Sequence, residues 1–210
     1  MLIVLDGPAG SGKSSVSKLI ANKLKINYLD TGSMYRMITY YFLSENIMLT
    51  PENIKQYLDN INISWNGSSL LLNNEDVNKH LRSNEINEAI KIISNNKDVR
   101  SKMIILQREI ANSGDFICDG RDLGTVVFPD CQHKFYLTAS VDVRANRRYL
   151  ENKKLGIKGS LEDIKASIES RDYNDMHREI APLKQADDAI VIDTDQLSID
   201  QVVDKIISYL

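Results

Sequence analysis

The chain has 210 residues, of which 42% are hydrophobic and 26% charged, and its net charge is −3. This composition is typical of one globular α/β domain, or of a core with insertions, that buries a sizeable hydrophobic core. The negative charge gives no general attraction to nucleic acid or to an anionic membrane, so anions must be bound by local groups of Arg and Lys. No apolar stretch reaches transmembrane length and no signal peptide is recognisable, so we expect a cytoplasmic protein.

The first apolar run, residues 2–6, leads directly into residues 7–14, whose sequence GPAGSGKS matches the phosphate-binding pattern G-x-x-x-x-G-K-[ST]. Glycines let the backbone curl so that successive N–H groups face an anion, and a helix that starts near Lys13 adds the positive end of its dipole. We expect Lys13 to reach the β- and γ-phosphates and the Ser14 hydroxyl to bind Mg²⁺. The residues predicted to bind a nucleoside triphosphate are Gly7, Pro8, Ala9, Gly10, Ser11, Gly12, Lys13, Ser14 and Ser15. The alternative is a glycine-rich turn that binds nothing.

Four more apolar runs follow the first, and all five have the length of buried parallel strands. They are residues 2–6, 26–30, 116–119, 134–137 and 189–193. Apolar residues at helical spacing predict helices at residues 14–24, 161–171 and 201–210. This alternation predicts an α/β protein with a five-stranded parallel sheet and helices on both faces.

Too many residues separate the second and third strands for a single crossover, which predicts an inserted subdomain. Within it, runs at residues 61–65 and 69–72 flank Asn66-Gly67, a strong hairpin signal, and residues 85–93 and 99–111 have helical spacing. A shorter insertion is expected near residues 151–160, where Lys, Gly and Asn cluster. We therefore expect a core of residues 1–32, 112–150 and 160–210, an insert of residues 33–111 and a short segment of residues 151–159.

Three polar clusters are predicted to follow elements of the core: residues 30–36 follow the second strand, residues 119–122 the third strand, and residues 171–178 the late helix. Singly, each has an ordinary explanation as a turn, a surface ion pair or a solvated helix face. Together they contribute Arg36, Arg121, Arg171 and Arg178, and planar guanidinium groups suit phosphate oxygens. Because the glycine loop already accounts for one phosphate-bearing ligand, these arginines predict a second one, or a clamp on the transferred group.

The chain resembles the bacterial cytidylate kinases, type 1 enzymes of the nucleoside monophosphate kinase family, along essentially its whole length. The resemblance rests on the loop at residues 7–14, on Asp30-Thr31-Gly32 with Tyr35-Arg36, on residues 119–122 (DGRD) running into residues 124–129 (GTVVFP), and on Arg171-Asp172 through Asp175 and Arg178 to residues 181–183 (APL). It implies a P-loop fold, a nucleotide-binding insert at residues 33–111 and a lid at residues 151–159. It also implies ATP and Mg²⁺ as cofactors, CMP and dCMP as acceptors, and a monomer that binds neither nucleic acid nor membrane.

The resemblance also implies a role for individual residues. Thr31 and Asp175 would contact the ribose, Arg36, Arg121 and Arg178 the acceptor phosphate, and Asp122 and Arg100 the cytosine. Lys13, Arg121 and Arg171 would be catalytic, Arg147 of the group Arg144, Arg147 and Arg148 would reach ATP from the lid, and Ser14 would bind Mg²⁺ with Asp119 acting through water. The family usually has a Ser at the position of Lys91. Either Ser94, one helical turn further on, takes the place of that Ser, or the base is held by fewer contacts.

Two other kinds of protein remain open from the sequence. A P-loop kinase could act on UMP, AMP or a sugar instead of CMP. A regulatory nucleotide-binding switch would need a guanine-reading Asn-Lys-x-Asp stretch, and Asn96-Lys97-Asp98 lacks the intervening residue.

Overall fold

The computed structural model describes residues 1–210. Its strands are β1 (Leu2–Asp6), β2 (Asn27–Asp30), β3 (Ile63–Trp65), β4 (Leu70–Leu72), β5 (Phe116–Asp119), β6 (His133–Thr138) and β7 (Ile190–Asp193). Its helices are α1 (Lys13–Leu24), α2 (Thr31–Ser44), α3 (Pro51–Tyr57), α4 (Asn84–Asn95), α5 (Lys97–Ala111), α6 (Val141–Lys154), α7 (Leu161–His177) and α8 (Ile199–Ile207). The chain divides into two compact units, residues 1–28 with 116–210 and residues 29–115, which we call unit 1 and unit 2.

The sheet of five strands has the order β2-β5-β1-β6-β7. Strand β1 lies in its middle and pairs in parallel with β5 and β6, and β6 pairs in parallel with β7. All five strands lie within a residue or two of the predicted runs, so the predicted fold class is confirmed. A central β1 places the segment that follows it at the carboxyl edge of the sheet, which is where ligands bind in open α/β folds.

The hydrophobic core of unit 1 forms between the sheet and the helices α1 and α8. Val16 and Ile20 of α1 and Val203 and Ile206 of α8 pack with fully buried strand residues such as Leu5. Apolar residues three and four apart on each helix make one buried face, as the sequence spacing predicted. The helix α1 is therefore held rigidly at both of its flanks, and its N-terminus is fixed beyond the end of β1.

Unit 2 has its own core between α2, α4, α5 and the strands β3 and β4. The two strands are antiparallel, with Trp65 opposite Leu70, and the connection between them contains four residues. The Asn66 side chain closes this connection by accepting hydrogen bonds from the N–H groups of Ser68 and Ser69. The predicted hairpin is present, and Gly67 has the positive φ of 97° that this tight connection requires.

Helix α7 extends further than the sequence pattern predicted, and helix α6 was not predicted. Helix α7 ends at His177, so the third polar cluster lies largely within its last two turns and does not follow it. Helix α6 continues to Lys154, so the predicted short insertion begins inside a helix. Ser160 caps α7 by accepting from the N–H of Asp163. None of the helices combines the length and apolar character needed to span a bilayer.

Candidate active site

The glycine loop after β1 adopts a conformation that only glycine tolerates at three places. Gly7, Gly10 and Gly12 have φ values of 145°, 75° and 95°. A Cβ atom on Gly7 would lie 2.0 Å from the carbonyl oxygen of Leu137, which is far inside van der Waals contact. The loop is therefore built against β6, and its shape depends on glycine both for φ and for space.

The first turn of α1 follows this loop and has no side chain to cap it. Gly12 is the N-cap residue, and its lack of a side chain leaves the first N–H groups of the helix without a protein acceptor from the cap. Such N–H groups, together with the positive end of the helix dipole, form an anion-binding site. The geometry thus fits phosphate binding at the place where the sequence pattern predicted it.

The Lys13 ammonium lies within the loop. Its Nζ atom donates to the carbonyl oxygens of Gly7 and Pro8, at 2.7 and 2.8 Å, and to the hydroxyl of Ser11 at 3.3 Å. Burial lowers the pKa of Lys13, and the nearby positive charge of Arg121 lowers it further. A polyphosphate bound beside Lys13 would stabilise the charged form of its ammonium and so raise the pKa again.

Ser14 and Asp119 form the second feature of the loop. The Ser14 hydroxyl donates to Asp119 Oδ2 at 2.8 Å, and the Tyr28 hydroxyl donates to Asp119 Oδ1 at 2.7 Å. The carboxylate at the end of β5 is therefore oriented from both sides. The sequence does not mark Tyr28 as a functional residue, because it lies within an apolar strand pattern in which a core residue is expected.

The peptide of Ala9 is held by two side chains that sequence reasoning did not connect to it. The Ala9 N–H donates to Asp172 Oδ1 at 2.9 Å, and Arg144 donates to the Ala9 carbonyl oxygen at 2.8 Å. Arg144 also donates to Asp172 Oδ2, and its Nε donates to the Ala139 carbonyl oxygen. Asp172 had no predicted role, although it belongs to the third polar cluster.

Asp6, the last residue of β1, is a further buried acid that the sequence analysis left unassigned. Its two carboxylate oxygens accept from the N–H groups of Leu123 and Gly124, at 3.1 and 2.7 Å. Burial raises the pKa of Asp6 to about 6, the two N–H groups oppose that rise, and the negative charge of Asp122 adds to it. Asp6 thereby ties β1 to the π-helical turn Leu123–Val127, which follows the DGRD stretch.

Two ion pairs join the DGRD stretch to the end of α7. Arg121 donates through Nε to Asp175 Oδ2 at 2.9 Å, and Arg178 lies 3.2 Å from Asp122 Oδ1 and 3.7 Å from Asp175 Oδ1. Burial works to lower the pKa of Arg121, but the adjacent Asp175 carboxylate outweighs it and raises that pKa. Four residues assigned separately to phosphate, ribose and cytosine are thus brought together in unit 1.

The side chains of Arg171 and Arg178 have different surroundings, although seven residues separate them. Arg171 lies on α7 and is exposed, whereas the side chain of Arg178 is only 6% exposed. Arg178 is the C-cap residue of α7, and its backbone N–H donates to the Asn174 carbonyl oxygen. Arg178 also donates through Nε to the Ala181 carbonyl oxygen at 2.6 Å. A single solvated helix face, the ordinary explanation for this pair, does not describe Arg178.

The arginines expected in the lid all lie on α6, before residues 151–159. Arg144 is buried at Ala9, and Arg147 donates to the backbone and hydroxyl oxygens of Thr194. Arg148 pairs with Glu151 one turn along the exposed face of the same helix. The Arg144 guanidinium is thus held inside unit 1 by the backbone oxygens of Ala9 and Ala139.

In unit 2, the first polar cluster forms the start of α2. Asp30 is the N-cap residue, accepts from the N–H and hydroxyl of Ser33, and pairs with Arg82 at 3.0 Å. Thr31, the predicted ribose contact, is the first helical residue and is buried. The cap is strong because a carboxylate accepts from a first-turn N–H that has no acceptor within the helix.

Arg36 lies on the next turn of α2 and is buried. One of its terminal nitrogens donates to the Leu81 carbonyl oxygen at 3.0 Å and to the Asn87 side-chain oxygen at 2.8 Å. These two contacts orient the guanidinium on this face of α2, and a planar guanidinium suits the oxygens of an anionic ligand.

Arg100 lies on α5 and is almost fully buried. It donates to the backbone oxygen of Ser94 at 2.8 Å, and its guanidinium lies 5.4 Å from the centre of the Tyr35 ring. Lys91 is exposed on α4, whereas Ser94 is half-buried one turn further on. Ser94 thus adjoins Arg100 through its backbone, and its hydroxyl donates to the Lys91 carbonyl oxygen at 3.4 Å.

A glycine loop between a central parallel strand and a helix, with a Ser–Asp pair beside it, defines the P-loop class of nucleotide-binding proteins. A solved structure of an uncharacterized protein from Eubacterium ventriosum shares the fold, with a TM-score of 0.53 and 14% identity over 100% of this chain and 97% of that one.

The family is shown by sequence comparison. A family model described as cytidylate kinase matches residues 3–210, so the chain belongs to the cytidylate kinase family. A cytidylate kinase of Clostridium botulinum strain Langeland is 43% identical, over 97% of this chain and 94% of that protein. A cytidylate kinase of Leuconostoc mesenteroides is 46% identical, over 97% of this chain and 93% of that protein. The family resemblance predicted from the motifs is confirmed.

Proposed function

We propose that this protein transfers the γ-phosphate of ATP to CMP, and also to dCMP, giving ADP and the pyrimidine nucleoside diphosphate. The observation that carries the proposal is the phosphate loop with its uncapped helix start, in a chain that belongs to the cytidylate kinase family along almost its whole length. The loop is the basis for proposing ATP as the phosphate donor, and membership of the family is the basis for proposing CMP as the acceptor.

The reaction needs no general base, because the attacking group is a phosphate oxygen of CMP that is already ionised at neutral pH. That oxygen forms a new bond to the γ-phosphorus as the bond to the β,γ-bridging oxygen breaks, and ADP leaves with the electron pair. Catalysis then consists of positioning and of neutralising charge on the transferred group. We assign this work to Lys13, Arg121 and Arg171, with Arg147 contacting ATP.

Ser14 and Asp119 fit a Mg²⁺ ion, since a hydroxyl and a carboxylate 2.8 Å apart are the hard oxygen donors that this ion prefers. No cluster of three or more acidic, His or Cys side chains surrounds them, which suits an ion that takes its remaining ligands from water and phosphates. A Mg²⁺ ion held by these residues would supply positive charge that offsets the negative charge of the ATP phosphates. The proposed role of Ser14 is direct binding, and that of Asp119 is to act through water.

For the acceptor, the proposal assigns Arg36, Arg121 and Arg178 to the phosphate of CMP. Thr31 and Asp175 contact the ribose. In Arg178 the guanidinium is already oriented by Asp122 and by the Ala181 carbonyl oxygen, so little side-chain entropy is lost on binding.

Arg100 and Asp122 are assigned to the base. Cytosine carries an exocyclic amine where uracil carries a carbonyl, so a carboxylate accepts from cytosine but faces an oxygen in uracil. A buried acceptor without a donor costs enough to discriminate between the two bases. Asp122→Asn should therefore erode the preference for CMP over UMP, and the ratio of kcat/KM for the two acceptors measures it.

The proposal extends to the roles of whole segments. Residues 33–111 would bind the monophosphate, and residues 151–159 would close over ATP and exclude water that could hydrolyse it. The enzyme would act as a cytoplasmic monomer. Light scattering after size-exclusion chromatography tests whether the protein is a monomer.

The decisive experiment measures ADP formation with CMP, dCMP, UMP, AMP and a hexose as separate acceptors, with product identity checked by chromatography. We expect CMP to be the best substrate and dCMP the second. Faster turnover of UMP, AMP or the sugar would overturn the acceptor assignment. ATP binding without any acceptor phosphorylation would favour a regulatory nucleotide-binding protein.

A further inference from the structure

We propose that Arg144 and Asp172 are positioning residues that lock the Ala9 peptide, so that the rest of the phosphate loop presents its N–H groups to ATP. This inference rests on the proposed use of the loop for ATP. It concerns two side chains, on α6 and α7, that touch the loop from behind through the backbone of a single residue.

The contacts form a closed ring. Asp172 Oδ1 accepts from the Ala9 N–H at 2.9 Å, Arg144 donates to the Ala9 carbonyl oxygen at 2.8 Å, and the same terminal nitrogen of Arg144 donates to Asp172 Oδ2. Arg144 is itself fixed by donating from Nε to the Ala139 carbonyl oxygen at 2.9 Å. Both polar groups of Ala9 are thereby engaged, and the direction of its peptide is set by side chains 135 and 163 residues away.

The loop needs contacts from other elements to fix its conformation, because its glycine-rich backbone can adopt many conformations. Gly7, Gly10 and Gly12 all have positive φ, and glycine reaches many other conformations at little cost. A Cβ on Gly10 would lie 3.3 Å from Arg144 Cβ and 3.8 Å from a methyl of Ile168, so α6 and α7 approach the loop closely at the next residue. The hydrogen-bonded ring and this close approach hold the same stretch of loop from the same side.

Burial and charge explain why an ion pair, and not an apolar pair, holds the Ala9 peptide. The side chains of Arg144 and Asp172 are 5% and 9% exposed, and buried ion pairs contribute little net stability compared with apolar packing. An apolar pair, however, would offer neither an acceptor for the Ala9 N–H nor a donor for its carbonyl oxygen. Arg144 also neutralises Asp172, which would otherwise place an uncompensated negative charge beside a site for polyphosphate.

Four variants separate positioning from simple stability. Asp172→Asn keeps an oxygen for the Ala9 N–H, so we expect ATP affinity to fall by less than about threefold. Asp172→Ala removes that acceptor, and the loss of a charge-assisted hydrogen bond should weaken ATP binding by about tenfold or more. Arg144→Met should weaken it further, because the Asp172 charge is left unpaired. Adding Asp172→Asn to Arg144→Met removes that charge and should recover part of the lost affinity.

Isothermal titration calorimetry with ATP, without an acceptor, gives the dissociation constant directly and does not depend on what the enzyme phosphorylates. Steady-state kinetics should show the KM for ATP rising while the KM for CMP changes by less than about twofold. Asp204→Asn is the matched control, because it breaks the exposed ion pair between α8 and Lys23 at the other end of α1 and should leave ATP affinity unchanged.

Circular dichroism and thermal unfolding establish which variants are folded. A folded Asp172→Ala protein with wild-type ATP affinity would overturn the proposal, as would equal rises in the KM values for ATP and CMP. If Arg144→Met does not fold, the comparison of Asp172→Ala with Asp172→Asn decides alone. Normal ATP binding by a wild-type protein that fails to phosphorylate CMP would instead contradict the proposed function.

Discussion

The Ser14 hydroxyl donates to Asp119 Oδ2 at 2.8 Å, although 105 residues separate the two in the chain. Ser14 belongs to the first turn of α1, and Asp119 ends β5, the strand beside β1 in the sheet. The parallel pairing of β1 and β5 brings both to the carboxyl edge of the sheet. A pair assembled in this way provides hard oxygen ligands beside the phosphate loop.

Asp119→Asn should lower kcat by about a hundredfold or more and raise the Mg²⁺ concentration needed for half-maximal rate, because an amide is a poorer partner for a cation and its waters. Tyr28→Phe keeps the carboxylate and removes only one hydrogen bond, so its effect should stay below about tenfold. Rates measured across a Mg²⁺ titration distinguish the two. Equal Mg²⁺ dependence in Asp119→Asn and the wild type would refute the assignment.

Lys13→Met should lower kcat by about a hundredfold or more, because the ammonium acts on charge that develops during transfer. We expect the free energy of unfolding to change by less than about 1 kcal/mol, since the cost of burying the ammonium offsets its three hydrogen bonds. Steady-state kinetics and urea unfolding measure these effects. Lys23→Met, an exposed change on the same helix, is the control, and a near-normal kcat in Lys13→Met would remove Lys13 from the mechanism.

Arg178→Ala should raise the KM for CMP by about tenfold or more and leave the KM for ATP nearly unchanged. The change removes a proposed phosphate ligand and leaves the buried Asp122 without this ion-pair partner, so an anionic acceptor meets added repulsion. Kinetics with each substrate varied in turn separate the two constants. An unchanged KM for CMP would exclude Arg178 from acceptor binding.

Gly7→Ala should lower the free energy of unfolding by more than about 3 kcal/mol, because the added methyl would lie 2.0 Å from the Leu137 carbonyl oxygen at a φ of 145°. Gly159→Ala is matched to it, since a Cβ there meets nothing within 4 Å and φ is not positive. That control should change stability by less than about 0.5 kcal/mol. Similar urea midpoints for both variants would contradict the close packing of the loop against β6.

Asp6 should make the stability of the protein depend on pH in mildly acidic solution. Its pKa is raised from 3.8 to about 6 by burial, so between these pH values the folded protein keeps a proton that the unfolded chain has lost. The contribution of Asp6 to the free energy of unfolding therefore falls as pH rises from about 4 to about 6, by up to about 3 kcal/mol.

Carbon-13 NMR of the Asp6 carboxyl measures that pKa directly. Urea unfolding of the wild type and of Asp6→Asn across the same pH range measures the energetic consequence. We expect the stability of the wild type relative to the variant to decline as pH rises. A carboxyl that titrates near 4 in the folded protein would show that the N–H groups of Leu123 and Gly124 outweigh burial.

Local patterns in the sequence were sufficient for the strands, for the helices α1, α4, α5, α7 and α8, and for the phosphate loop, but not for α2, α3 and α6. The five strands, the helix after Ser11-Gly12 and the hairpin around Asn66 were all predicted from apolar runs, spacing and turn residues. Helix α6 and the last residues of α7 were missed, because stretches rich in polar residues fit a loop equally well. These two helices pack against each other, and that contact is not visible in a local sequence pattern.

The sequence by itself determined the class of the protein, because a P-loop is a contiguous pattern whose backbone conformation and charges come from neighbouring residues. Only the tertiary structure decided what holds that loop in place. The contacts of Ala9 with Arg144 and Asp172 join residues more than a hundred positions apart, and so does that of Asp6 with Leu123. A hydrogen bond depends on distance and direction in space, and for these residues both are set by the order of strands in the sheet and the packing of α6 and α7.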